Sequence, residues 1–323
     1  MLKFIIKRIL LAIPVLLGVT LLVFTMLYFT EGDPARLILG DTATEEEVEA
    51  LREELGLNDS FGRQYINYLG GIMKGDLGTD YITGRPVRDE IMERLGTTLK
   101  LAAASIIFSV AIAIPAGIIS AIRQYSLIDI ITMVLALLGN SLPNFWLALM
   151  LILFFSVYLG ILPASGLYGI EYYIMPVIGI SAGAIATITR MTRSSMLEVI
   201  RQDYIRMARI KGQTEFAIIV KHALKNALIP VITVIGIQFT VAVGGAVVNE
   251  QVFAIPGLGK FLVDAIKARN YRVVQGGVLV LAIICSLVNL FVDLLYAFID
   301  PRIKNQYQES AKSKKIRRVR DGG

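Results

Sequence analysis

The feature that most constrains this chain is a set of apolar runs long enough to cross a bilayer. Ile9–Phe29, Leu99–Ile122 and Val273–Phe298 each supply the roughly 20 residues needed to cross ~30 Å of hydrocarbon. No charged residue occurs anywhere from Ile130 to Ile170. Lipid offers no hydrogen bonds, so a spanning backbone must satisfy itself as helices or as a closed barrel. The runs are continuous rather than alternating apolar and polar, which excludes a large barrel. The composition agrees, with 55% of the 323 residues hydrophobic and a mean hydropathy of +0.65. The expected fold is an all-α polytopic membrane protein with six transmembrane helices. A large polar extracytoplasmic insert follows helix 1, and a long cytoplasmic loop joins helices 4 and 5.

The boundaries follow from charge. Residues 1–30 form the first transmembrane helix, entered from the cytoplasm behind Lys3, Lys7 and Arg8. Its apolar run exceeds the 7–15 residues of a signal-peptide core, and no small-x-small cleavage site follows, so it is expected to remain as a span. Residues 31–98 form the insert, with fifteen Asp/Glu against seven Lys/Arg between Glu31 and Arg94. Such an acidic balance suits the non-cytoplasmic side. Within it, Thr44 and Glu47 make a capping box for a helix through Leu55, stopped by Gly56. Phe61, Tyr65, Tyr68, Leu69 and Ile72 recur at helical spacing and predict a second short helix.

Residues 99–299 form a core of five further spans. Leu99–Ile122 is span 2. The forty-one uncharged residues from Ile130 to Ile170 are too many for one straight span, and Pro143 must interrupt them by removing a backbone donor and clashing one turn back. Span 3 is either a kinked Asp129–Leu159 helix or a short helix followed by a span from about Pro143. Span 4 is Tyr172–Thr189, span 5 Ile229–Val248 and span 6 Val273–Phe298. The loop within 190–228 carries eight Lys/Arg against three acids, and the tail, 300–323, is also basic. Both places the N- and C-termini in the cytoplasm. The segment Gln251–Arg272 runs against the rule, with Lys260, Lys267, Arg269 and Arg272 opposed only by Asp264. Placing it inside would break the alternation on both sides, so it is assigned outside.

Several function classes drop out. The pI of about 9.3 is explained by basic loops and anionic lipid rather than nucleic acid. Cys285 is the only cysteine and His222 the only histidine, so no disulfide, CxxC pair or Ser/Cys–His nucleophile can be built. Gly259-Lys260 lacks the flanking residues of a phosphate-binding loop, and no HExxH or GxSxG occurs. The chain is therefore not expected to be an enzyme or to bind a cofactor or metal. If it moves a solute uphill, the energy must enter from outside the chain.

Polar groups inside the apolar runs are the candidates for a translocation path, because they tend to face a bundle or a wet cavity. They are Asn140, Ser141 and Asn144 around Pro143, Gln238 in span 5, Asn249 and Glu250 at its outer end, and Asn289 and Asp293 in span 6. They can equally glue helices together. They form no proton relay or ion cage, which argues against an ion-coupled secondary transporter.

The loop between spans 4 and 5 is longer than a turn needs to be. Val199, Ile200, Tyr204, Ile205, Met207, Ala208 and Ile210 fall on one face of a short helix, and Arg201, Arg206, Arg209 and Lys211 occupy much of the rest. Gly212 ends it, Phe216–Leu228 continues as a second helical stretch, and Pro230 opens span 5. A basic amphipathic helix of this kind fits either a groove on a soluble partner or an anionic lipid surface.

The segment YIRMARIKGQTEFAIIVKHALKNALIP (Tyr204–Pro230) resembles the EAA loop of ABC importer permeases, in the dipeptide/oligopeptide/nickel branch. Arg206-Met207-Ala208 stand in the small-residue trio and Gly212 is the loop glycine. Arg206 replaces the usual acidic residue, and the glycine-to-proline distance is lengthened, as in the peptide branch. The resemblance extends in order along the chain. It takes in Ile13–Gly18 and Gly32–Arg36, then Gly75–Gly78 and Thr83–Val87. It continues through Ser141–Trp146, Leu162–Gly166, Pro256–Gly259, Val273–Gly276 and Asp293–Tyr296, to Asp300-Pro301-Arg302.

The resemblance implies a multi-pass permease subunit of the cell membrane. Its partners would be a second homologous permease, two cytoplasmic ABC ATPases that hold the ATP and Mg, and an extracellular substrate-binding protein. It assigns coupling to the ATPases to Tyr204, Arg206, Ala208, Arg209, Lys211 and Gly212. The substrate class is expected to be peptides, with nickel chelates and glutathione-like compounds served by similar machinery.

Overall fold

The computed structural model describes residues 2–30, 32–40 and 42–299, so the basic tail, 300–323, lies outside the described residues. Among the described residues the regular structure is helical, with one isolated bridge between Thr79 and Pro86. Five helices are long and apolar enough to span a membrane: α1 (Leu2–Tyr28), α5 (Val87–Ile122), α8 (Glu171–Ile200), α11 (Leu224–Val252, preceded by α10, Glu215–Ala217, and a π-helical Ile218–Ala223) and α13 (Tyr271–Ile299). Counting the pair broken at Leu142–Pro143 as one span makes six; it comprises α6 (Leu127–Ser141) and α7 (Asn144–Leu151, continued by π-helical Ile152–Tyr158). The chain is thus a multi-pass membrane protein. Pro143 ends α6 outright rather than kinking a longer helix. Its ring removes a donor, and Leu142 closes the last turn from its N–H to the Leu138 carbonyl.

Two sequence-derived boundaries shift. Helix α5 begins at Val87, not Leu99, and its 36 residues run about 54 Å, well beyond the hydrocarbon thickness. Its first turns carry Arg88, Asp89, Glu90, Glu93 and Arg94, which read as loop by hydropathy but are compatible with helix. Helix α8 runs on to Ile200, past the Thr189 expected for span 4, so Val199 and Ile200 belong to it and not to the loop helix.

The chain forms two compact units, each assembled from three stretches. The first comprises Met1–Ser105, Pro143–Ile180 and Val241–Ser286, and contains the insert helices α2 (Pro34–Leu39), α3 (Glu45–Glu54) and α4 (Phe61–Met73) together with α12 (Leu258–Lys267). Its core joins Val87 and Ile91 of α5 to Leu258, Leu262 and Ala265 of α12 and to Val273 and Val274 of α13. Gly276 is required there, because a Cβ at that position would stand 2.9 Å from Val87 Cγ1. An aromatic group, Phe24, Tyr28, Phe61, Tyr65 and Tyr68, fastens α4 to α1. The capping box forms as expected: Thr44 accepts from the Glu47 N–H and Glu47 accepts from the Thr44 N–H. The Thr44 N–H and the Thr44 hydroxyl, both donating to the Glu47 carboxyl, hold it below its usual range.

The second unit comprises Ile106–Leu142, Ser181–Thr240 and, among the described residues, 287–299. Gly117 of α5 lies so close to α8 that an added Cβ would meet Thr192 Cβ at 2.6 Å and the Thr189 carbonyl at 2.8 Å. Near that crossing, Asp129 of α6 is buried and receives Arg193 of α8, the Ser120 hydroxyl and the Tyr125 N–H. Tyr125 adopts φ +64° to make that turn.

Candidate coupling site

The loop between α8 and α11 is built in the second unit from α9 (Asp203–Ile210), a turn, and the α10–π segment. Its inner side is a small core: Ile205 and Ala208 of α9 pack with Met196 of α8, Ala121 of α5, and Ile218, Ala223 and Ala227 beyond the turn. Gly212, at φ +74°, closes α9 as a left-handed cap. The Gln213 N–H reaches the Ala208 carbonyl and the Gly212 N–H the Arg209 carbonyl, the paired bonds of a Schellman motif. Nothing lies within 4 Å of an added Cβ there, so the requirement for glycine is the backbone conformation itself.

Side chains then tie the two arms of the loop. Arg209 forks onto Glu215, at 2.7 and 3.2 Å. Asn226 donates to the Tyr204 hydroxyl at 3.0 Å, and His222 pairs with Gln213 at 2.7 Å. The Arg209–Glu215 pair is exposed, so solvent screening leaves it a weak contribution to stability. What remains outward is a surface of mixed character. Arg206, Met207 and Ile210 of α9 and Phe216 of α10 are all exposed, the last two at 78% and 76%.

Of the six expected coupling residues, Tyr204, Arg206, Arg209, Lys211 and Gly212 lie on the exposed side of the loop. Ala208 does not. It is buried against the core just described, so its small side chain lets α9 settle on its own unit and offers no surface to a partner. The expected apolar face was also too broad, because Met207 and Ile210 point to the solvent side while only Ile205 and Ala208 of α9 are buried. Sequence reasoning put Ile210 on the apolar face and Phe216 at the start of the second helical stretch, and assigned neither to partner contact. Their signal was available as large apolar residues flanking a glycine turn in a basic loop.

The polar groups of the apolar runs separate into distinct surroundings. In the first unit, Asn249 is fully buried and donates to the Gly245 carbonyl, and a Cβ on Gly179 would stand 2.9 Å from its Oδ1. Asn144 lies against Gly245. Glu250, expected beside a path, is fully buried. Its Oε1 accepts from the Thr98 hydroxyl at 2.5 Å and its Oε2 from the Lys260 N–H at 3.0 Å, which holds the N-terminal end of α12. The Thr98 oxygen in turn accepts from the Leu258 N–H. In the second unit, Asn289 accepts from Thr240 at 3.2 Å, Ser141 donates back to the Leu137 carbonyl, Asn140 is exposed and Gln238 is half-buried.

Residues 113–305 match the family model of the binding-protein-dependent transport system inner membrane component. Residues 1–102 match the N-terminal model of the same membrane components. The chain belongs to this permease family. The permease is a transport component and not a catalyst. It is 44% identical to the dipeptide transport system permease protein DppB of Alkalihalophilus pseudofirmus, over 94% of this chain and 100% of that one. It is 40% identical to DppB of Escherichia coli K12, over 95% of this chain and all of that one. It is also 42% identical to the glutathione transport system permease protein GsiC of Escherichia coli O6:H1, over 94% and 99%. A solved inward-facing structure of the MetNI methionine ABC transporter shares the fold, with a TM-score of 0.56 at 21% identity over 65% of this chain and 96% of that one.

Proposed function

We infer that this permease imports short peptides as one of two homologous membrane subunits, driven by two cytoplasmic ATPases that bind and hydrolyse ATP with Mg, and supplied by an extracellular binding protein. The observation that carries the coupling half is the exposed Arg206, Met207, Ile210, Lys211 and Phe216 surface around Gly212. An apolar patch rimmed by cations suits a groove with acidic walls on a soluble partner better than it suits lipid alone. The peptide half is supported by the two DppB relatives.

In this reading α9 is held in an ATPase groove, and closure of the ATPase pair moves it as a lever. The Schellman cap and the Arg209–Glu215 fork transmit that movement to α10 and on to α11. The termini and this loop lie in the cytoplasm, and the insert, 31–98, contacts the binding protein or the second permease outside. Asn140, Ser141, Asn144, Gln238, Asn249 and Asn289 remain the polar groups proposed to border the path. Chelation of a cofactor by this chain plays no part.

The test is ATP-dependent uptake of a labelled short peptide into vesicles carrying the assembled complex. Uptake should require the ATPases and be lost on Gly212→Leu without loss of membrane insertion. Uptake driven by an ion gradient in the absence of ATPases would refute the reading. The GsiC relative supports glutathione as a second substrate, and competition for peptide uptake by glutathione would decide it.

A further inference from the structure

The first unit holds a cavity of about 810 Å³ between the insert and the first turn of α13. That volume falls within the ~300–1,000 Å³ of small-molecule sites. The walls include four tyrosines, Tyr28, Tyr68, Tyr81 and Tyr271. Most of the charge on them is already neutralised. Asp33 pairs with Arg52 at 2.7 Å. Asp80 accepts from the Ile82 and Thr83 N–H groups and from Asn270.

The α13 side of the cavity presents polar groups to a ligand. Arg272 is half-buried, and among the described residues no carboxylate pairs with it. Its charge falls on the Tyr81 hydroxyl beside it. Its stem lies against Gly78, where a Cβ would come 3.0 Å from Arg272 Cδ. Gln275, one turn on, is only 8% exposed and lines the cavity. Tyr271 and Arg272, the first two residues of α13, also put the positive end of a 29-residue helix dipole at the same wall. A guanidinium, an amide, a phenol and a helix N-terminus converging on one wall are complementary to a carboxylate. Asp76, exposed on the loop that leads to Gly78, with Oδ1 accepting from the Gly78 N–H, lines the same cavity and offers its second oxygen to a cation.

We propose that this cavity is a receiving subsite for a free short peptide, with the peptide C-terminal carboxylate held by Arg272, Gln275 and Tyr81 and its ammonium end directed toward Asp76. The aromatic walls accommodate the side chains without selecting one, so recognition rests on the charged ends. The inference rests on the peptide-import reading and adds to it a place on the permease itself where the substrate is held.

The experiment measures binding of labelled trialanine and of its C-terminal amide to the full complex without the binding protein. The acid should bind at least tenfold more tightly than the amide. Arg272→Gln should erase that difference, and Arg272→Lys should restore part of it. Equal binding of acid and amide by the unaltered complex overturns the subsite without relying on any variant. An unchanged acid-to-amide ratio in Arg272→Gln does the same. If acid and amide bind equally while Arg272→Gln weakens docking of the binding protein, the cavity serves that partner and the proposal falls. ATP-dependent peptide uptake, followed in parallel, tests the importer reading separately. Normal uptake with no end-group discrimination removes the subsite alone, whereas discrimination without uptake removes the importer reading and leaves the subsite standing.

Discussion

Arg193 grips Asp129 with two parallel hydrogen bonds, Nε to Oδ1 at 2.6 Å and Nη2 to Oδ2 at 2.7 Å, across 64 positions of sequence. The carboxylate is buried and also receives Ser120 and the Tyr125 N–H, so all its strong acceptor directions are filled. The pair fixes the start of α6 to α8 just before α8 leads into the coupling loop.

Removing one member of a buried pair leaves the other charge uncompensated, at a cost of roughly 3–5 kcal/mol. Arg193→Leu or Asp129→Leu should therefore lower the unfolding free energy of the detergent-solubilised permease by about 3 kcal/mol. The double substitution should cost less than the sum of the two. Additive losses in that double-mutant cycle would show that the two side chains do not act as a pair.

Gly212 tests the backbone rather than the side chain. Its Cβ position is empty, so Gly212→Ala should fold and insert but strain the cap by about 1–2 kcal/mol. Asn tolerates left-handed backbone better, so Gly212→Asn should retain more ATP-driven uptake than Gly212→Ala. The reverse order would mean that loop function does not depend on this conformation.

Thr98 both donates to Glu250 and accepts from the Leu258 N–H. Thr98→Val leaves a buried carboxylate and a buried N–H each short of a partner, a loss of about 1–3 kcal/mol apiece. The expected result is faster hydrogen exchange over α12 with the coupling loop unchanged. Uniform exchange across the chain would place the contribution elsewhere.

Acid should act on the insert through Asp80. Burial pulls its carboxyl upward, but the Ile82 and Thr83 N–H groups and Asn270 outweigh that and hold it below its ordinary value. A depressed carboxyl contributes stability above its unfolded pKa and loses it as pH falls through the folded one. The protection factors of amides around residues 78–84 should stay flat from pH 7 to about 5 and fall only below about pH 4. Asp80→Asn should flatten that acid limb.

Deleting Asp41–Leu55 removes α3, together with the Arg52 that pairs with Asp33. Peptide uptake should fall while the complex still inserts into the membrane. Transport at the normal rate would make α3 a passive cover.

What the sequence alone determined was whatever depends on neighbours along the chain. Apolar run length marked the spans, Thr44 and Glu47 marked a capping box, Pro143 marked a break and Gly212 marked a helix end, because each works through the backbone within four or five residues. The start of α5 escaped it, since charged residues at 88–94 look like loop to a hydropathy window although α12 and α13 pack against that turn. Only the tertiary structure decided which polar groups meet. It turned Ala208 inward and sent Glu250 to the end of α12. It also joined Asp129 to Arg193 and set Arg272 and Gln275 of α13 beside the insert. Those outcomes depend on packing between segments tens to hundreds of residues apart, where side-chain direction and burial, not local pattern, set each group's partner.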